Sequence, residues 1–148
     1  MKKNYPIGIQ SFEEIRKGNY CYIDKTALVY KLAESGKYYF LSRPRRFGKS
    51  LLISTLEAYF QGRKELFEGL SMGKLEKEWT EYPILHLDLN AQKYDTPDSL
   101  YDMLNDMLCG WESRYGTRPS ETSLSLRFQG IIQRAAEKTG RNVVILNR

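Results

Sequence analysis

Cysteine is scarce in this 148-residue chain, and the two present, Cys21 and Cys109, have neither metal-ligand spacing nor the pattern of a disulfide framework. They read as buried free thiols in a reducing compartment. Histidine is scarcer still: His86 stands alone, alternating with apolar neighbours, and reads as a structural residue rather than a catalyst. No apolar run is long enough to cross a bilayer, which argues against a membrane partner. The N-terminal MKKNYPIGIQSFEEIRKG has two lysines but no apolar stretch before its charges, so a secretory leader is not expected and the cytoplasm is. Repeats, low-complexity tracts and internal linkers are also missing.

What is present argues for a folded domain. Hydrophobic residues make up 41% of the chain and aromatics 13%, chiefly tyrosine, enough to build a core rather than a disordered segment. The formal charge of +5 favours acidic partners, and nucleotide phosphates and nucleic acid both qualify.

Punctuation residues divide the chain into elements. Ser11 with Glu14 forms a capping-box pattern and Gly18 a stop, which predicts a short helix between them. Asp24 is placed to cap a second helix, KTALVYKLAES, ended by Gly36. Tyr38 to Leu41 is rich in strand formers and short enough to be a buried strand. After the turn RPRRFGKS, Leu51, Leu52, Thr55, Leu56, Tyr59 and Phe60 recur at helical spacing up to Gly62. Residues 63 to 79 read as short polar helices broken by Gly69 and Gly73, with Trp79 on the core. Pro83 opens a second strand, ILHLDL. A helix starting at Thr96-Pro97-Asp98 carries the stripe Leu100, Met103, Leu104, Met107, Leu108 and Trp111. Another, starting at Pro119-Ser120, turns Leu124, Phe128, Ile131, Ile132 and Ala135 inward and stops at Gly140. Val143 to Leu146 is a third strand. Strands alternating with helices imply an α/β fold with a parallel sheet.

The chemistry concentrates at residues 43 to 50. A strand, a turn ending in Gly-Lys-Ser and a helix, in that order, make the setting of a P-loop. Gly48 lets the backbone approach phosphate without a Cβ, and the amides at the helix start point at the anion, aided by the helix dipole. Lys49 would reach the outer phosphates and the Ser50 hydroxyl would ligate magnesium. Arg43 stands where the general motif has its first glycine. Arg45 and Arg46 add fixed cations that repel one another unless an anion is present. The alternative is a chance Gly-Lys-Ser at a helix start, with the arginines directed into water.

The string YYFLSRPRRFGKSLLISTLEAYFQG, with PIGIQSFEEI and YIDKT before it and YPILHLDL after, resembles the AAA-ATPase-like family of bacterial proteins. In that family an arginine-bearing loop like RPRRFGKS is the usual form. The resemblance implies a P-loop NTPase (AAA-like) three-layer sandwich with a short parallel sheet and flanking helices. It also implies ATP and Mg2+ as ligands, held by Arg45, Arg46, Phe47, Gly48, Lys49, Ser50 and Leu51, with Ser50 on the metal. Family members commonly add a C-terminal PD-(D/E)xK nuclease-like domain, which these residues do not contain. The family's Walker B carboxylates would follow the strand at Val143 to Leu146, where the sequence reads Asn147-Arg148. Residues 1 to 148 are therefore expected to be the N-terminal part of such a domain, truncated at the Walker B strand, with no catalytic residue assigned and hydrolysis defective. The central strand of the family's sheet would be missing too, and an open sheet edge invites self-association.

Weaker candidates surround this turn. Asp88 lies near the C-terminal end of the second strand, where α/β sheets place ligands, and could equally cap the following loop. Asp24 and Lys25 could approach a nucleotide base, although helix capping is the default. Tyr22 and Tyr38 could stack on adenine or belong to a tyrosine-rich core. Two other function classes stay open: a basic nucleic-acid-binding module, for which no aromatic–basic interleaving is evident, and a protein-interaction fragment without nucleotide turnover.

Overall fold

The computed structural model describes residues 2–44, 48–89 and 95–148. It confirms a mixed α/β chain and divides it into two compact units, one reaching to Glu81 and the other spanning Tyr82–Arg148.

The first unit is helical. Its elements are α1 (Phe12–Lys17), α2 (Thr26–Ser35), α3 (Lys49–Phe60), a 3-10 turn at Lys64–Phe67, and α4 (Ser71–Leu75). Ser11 caps α1 as expected, its hydroxyl accepting from the Glu14 amide, and Gly18 closes the helix on the Glu14 carbonyl. Phe12, Val29, Ala58, Tyr59, Leu66, Phe67, Leu70 and Met72 form the buried core. Phe12 and Phe67 pack with ring centroids 4.8 Å apart. Trp79 lies over Tyr59 and Phe67, as its sequence position predicted. Gly73 does not break a helix but sits inside α4, where a Cβ would come within 2.5 Å of the Phe67 carbonyl.

Hydrogen bonds between distant segments hold these short helices together. The Ser54 hydroxyl on α3 receives the Phe12 amide at 3.0 Å and faces the Gln10 carbonyl at 3.1 Å, fixing α1 against α3. Asp24 does more than cap α2. One carboxylate oxygen accepts from the Thr26 amide and hydroxyl at 2.9 and 2.6 Å. The other accepts from the Ser71 amide and hydroxyl at 2.7 and 3.0 Å, clamping the start of α2 to the start of α4. The Thr26 hydroxyl oxygen in turn receives the Met72 amide.

The second unit contains the sheet. Strands β1 (Ile84–Leu87) and β2 (Val144–Asn147) pair in parallel, with Ile84 opposite Val144 and Leu87 opposite Asn147. A parallel pair requires a crossover, supplied here by α5 (Pro97–Tyr115) and α6 (Leu124–Thr139). Thr96 and Ser99 form a reciprocal capping box at α5. Leu85, Leu108 and Ile131 make the core, enclosed by Trp111, Tyr115, Leu124, Phe128, Ile132 and Val143. Arg134 grips Glu121 with two guanidinium bonds of 2.8 and 2.9 Å, and Arg127 joins Asn105 and Glu112 of α5.

Four further expectations are corrected. Among the described residues the sheet has two strands rather than three, because Tyr38 to Leu41 forms no strand. Tyr38 and Phe40 are each 93% exposed, and strand propensity alone does not hold an extended segment that has no ladder partner. Helix α6 begins at Leu124 rather than Pro119, because the Ser123 hydroxyl takes the Leu126 amide. Both cysteines are exposed rather than buried: Cys21 lies in a surface segment bonded to Asn4, and Cys109 lies off the apolar stripe of α5. Finally, Leu100, assigned to that stripe, is exposed in the first turn of α5.

The Asp24 clamp has a pH signature. Partial burial raises its carboxyl pKa, but the bonds from Thr26 and Ser71 outweigh this and bring it from 3.8 down to about 2. Its contribution is therefore complete above pH 4 and lost as pH falls toward 2. Asp24→Ala is expected to destabilise the chain by roughly 1–2 kcal/mol at neutral pH, limited by solvent exposure. In urea denaturation, the gap between variant and parent should close on acidification; a gap constant from pH 7 to pH 2 would contradict the clamp.

Candidate functional site

Helix α3 begins in a way that none of the longer capped helices does. Gly48 occupies the N-cap position at φ 80° and ψ 17°, in the left-handed region that favours glycine. Among the described residues no side chain caps this end, and no acid lies in its first turn. The first intrahelical bond runs from the Leu52 amide to the Gly48 carbonyl at 2.9 Å. The amides of Lys49, Ser50 and Leu51 consequently have no partner among the described residues. By contrast, α1, α5 and α6 satisfy this end with Ser11, Thr96 and Ser123.

The side chains add to this polarity. Lys49 is the first helical residue and is exposed, and Ser50 beside it is half-buried. Neither the ammonium nor the hydroxyl is engaged by another described residue. A lysine at the positive end of a helix dipole is an arrangement that an anion relieves. Leu51 turns toward the core, and its carbonyl accepts from the Ser54 and Thr55 hydroxyls, which fixes the second half of the turn. Thr55 itself is 2% exposed. The helix is thus rigid just behind a bare, cationic first turn.

Gly48, Lys49, Ser50 and Leu51 are accordingly brought together, while Arg45, Arg46 and Phe47 lie outside the described residues. The weaker candidates separate from this turn. Asp24 and Thr26 belong to the clamp described above. Tyr22 packs edge-on against Phe12 at 5.3 Å, and burial pushes its hydroxyl pKa up. Tyr38 stands in solvent and contributes to no core. His86 lies half-buried in β1 opposite Leu146, and Asp88 faces Arg148 at 4.0 Å.

Hollows among the described residues lie elsewhere. One of about 160 Å³ lies among Ser11, Glu13, Ser54 and Arg63, and a shallow one of about 540 Å³ lies among Cys109, Glu112, Arg118 and Arg127. Neither is lined by the first turn of α3. In the smaller one Glu13 is held to about pH 2 first by its bond to Arg63 and then by Lys17, so its charge is already neutralised. Among the described residues no group of three or more acidic, cysteine or histidine side chains could hold a metal. The Ser54 and Asp24 links were not read from the sequence, since their partners lie more than 40 residues away.

A glycine-started helix with free amides, a lysine and a hydroxyl is the kind of end that receives an anionic oxygen cluster. Comparison with known proteins narrows the class. The family model described as "Predicted AAA-ATPase" matches residues 6–147, and the chain belongs to this AAA-ATPase-like family. The chain is also similar to a protein of Azotobacter chroococcum mcd 1 described as "Uncharacterized protein in vnfD 5'region", with 37% identity over 147 residues. That alignment covers 98% of this chain and 28% of the relative, so the chain spans under a third of the relative's length. No solved structure gives a significant match. No helix among the described residues is long and apolar enough to cross a membrane.

Gly48 provides a direct stability test of this helix start. A Cβ there would meet nothing within 4 Å among the described residues, so the cost of Gly48→Ala comes from backbone conformation. It is expected to cost about 1–2 kcal/mol, read as a lowered melting temperature. A variant as stable as the parent would show that the left-handed cap is not required.

Proposed function

We propose that Gly48, Lys49, Ser50 and Leu51, with Arg45, Arg46 and Phe47 of the same loop, form the phosphate-binding turn of an ATP site of the P-loop kind. The observation that carries this reading is the start of α3, where three consecutive amides, the exposed Lys49 and the Ser50 hydroxyl have no partner among the described residues. Membership of the AAA-ATPase-like family supports it independently.

The roles follow from the chemistry of each group. The amides of Lys49 to Leu51 would donate to phosphate oxygens at the positive end of the helix. The Lys49 ammonium, on a flexible stem, would follow the outer phosphates. Magnesium takes hard oxygen ligands and keeps several waters, so one hydroxyl from Ser50 beside phosphate oxygens suits it without a protein carboxylate cage. Magnesium would neutralise phosphate charge when bound.

The proposal concerns binding. Hydrolysis needs a positioned metal and an oriented water, and the resemblance assigns those tasks to carboxylates following β2. Residues 1–148 by themselves are read as binding nucleotide with little turnover.

Lys49→Ala separates function from stability, because the side chain is exposed and makes no hydrogen bond or ion pair among the described residues. Loss of a charged donor on phosphate corresponds to about 10- to 100-fold weaker binding of ATP with magnesium. Calorimetric titration should show that loss with no change in melting temperature. Equal affinity in parent and variant would refute the proposed site.

A further inference from the structure

The link between α3 and the N-terminal segment runs through a single hydroxyl that has more partners than protons. Ser54 Oγ receives the Phe12 amide at 3.0 Å. It also lies 3.1 Å from the Gln10 carbonyl and 2.9 Å from the Leu51 carbonyl. A serine hydroxyl donates once, so these two carbonyls compete for one proton. One belongs to the segment entering α1, 44 residues away in sequence, and the other to the preceding turn of the same helix.

The Leu51 carbonyl is the more crowded of the two. The Thr55 hydroxyl already donates to it at 2.7 Å, and helical geometry adds the Thr55 amide. Those two donors fill the lone pairs of a carbonyl oxygen, so Ser54 arrives in surplus. A hydroxyl that bonds back into its own helix destabilises it slightly and often bends it. The residue affected here is Leu51, whose amide is among those at the start of α3 that lack a partner among the described residues. Ser54 also follows Ser50 by four positions and stands one turn behind it on the same face. The direction of the Ser54 proton therefore bears on the shape of the first turn. Given to Gln10, it leaves that turn straight and ties down the segment before α1. Given to Leu51, it releases that segment and distorts the turn.

We propose that Ser54 is a positioning residue that joins the phosphate turn to the N-terminal segment. Phosphate held by the amides of Lys49 to Leu51 favours the Gln10 bond, and loss of that bond weakens nucleotide binding. The inference rests on the ATP reading above and adds regulation to it, since whatever moves Gln10–Phe12 changes affinity at the turn. Linkage makes the effect reciprocal: nucleotide stabilises the tie by the same factor by which the tie tightens nucleotide. The low end of such coupling is about fivefold.

The test is amide hydrogen exchange at Phe12, followed by nuclear magnetic resonance at pH 7 with and without saturating ATP and magnesium, beside calorimetric titration. Nucleotide should slow exchange at Phe12 about fivefold and leave amides in the middle of α5 unchanged. Ser54→Ala should bind ATP with magnesium about fivefold more weakly, and its Phe12 amide should exchange equally with and without nucleotide. Asp24→Ala, which loosens the same unit away from α3, should bind as the parent does. Equal weakening in both variants would reduce Ser54 to a stability role and overturn the proposal. The parent measurement needs no substitution, so it decides the matter even if Ser54→Ala does not fold. A parent that binds nucleotide with no change at Phe12, or with equal slowing in α5, would overturn the coupling and leave the ATP site standing. A parent that binds no nucleotide would overturn both.

Discussion

The buried face of α3 and its bare N-terminus are the constraint on which the first unit depends. Thr55, Ala58 and Tyr59 sit in the core, and Ser54 fastens the helix to the segment entering α1. That packing fixes the direction in which the first turn points. A helix held this way cannot relieve its unpaired amides by fraying without disturbing the Leu51 and Thr55 contacts behind them. Packing in the second and third turns of this twelve-residue helix thus preserves an unsatisfied first turn, and a turn of this polarity suits phosphate.

The rest of that unit serves the same end by modest means. Its helices are short, and α1 and α4 span only six and five residues, too few to be stable alone. They persist through side chains that bridge them: Asp24 between α2 and α4, Ser54 between α1 and α3, and Arg16, whose guanidinium holds the Leu66 carbonyl at 2.7 Å. The second unit relies more on apolar contact, with Leu85 and Ile131 fully enclosed and arginine–glutamate bonds bordering the helix pair. Its charge is balanced, whereas the first unit carries the excess of cations.

Much of this was legible in the sequence, and the reasons are local. Helices α3, α5 and α6 were visible because apolar spacing and glycine or hydroxyl caps act within a few residues. Both strands were found because short apolar runs followed turn signals, and their parallel pairing followed from the helices between them. Gly48, Lys49 and Ser50 were legible as a unit because they are consecutive. What escaped depended on distant partners. Tyr38 to Leu41 has the composition of a strand, but pairing is a property of two segments and composition shows only one. Asp24 read as a cap, and its bonds to Ser71 depend on a fold that brings residues 47 apart together. Cys109 read as buried because thiols usually are, yet its helical phase put it beside Arg127.

The central claim is that backbone amides at the start of α3, and not merely a nearby positive charge, receive phosphate. Backbone resonances of Gly48, Lys49, Ser50 and Leu51, followed by nuclear magnetic resonance as ATP and magnesium are added, address it most directly. The account expects these amides to shift saturably and together, while those in the middle of α5 stay in place. Unmoved amides at Lys49 to Leu51 under conditions where nucleotide binds would place the phosphates elsewhere and contradict it.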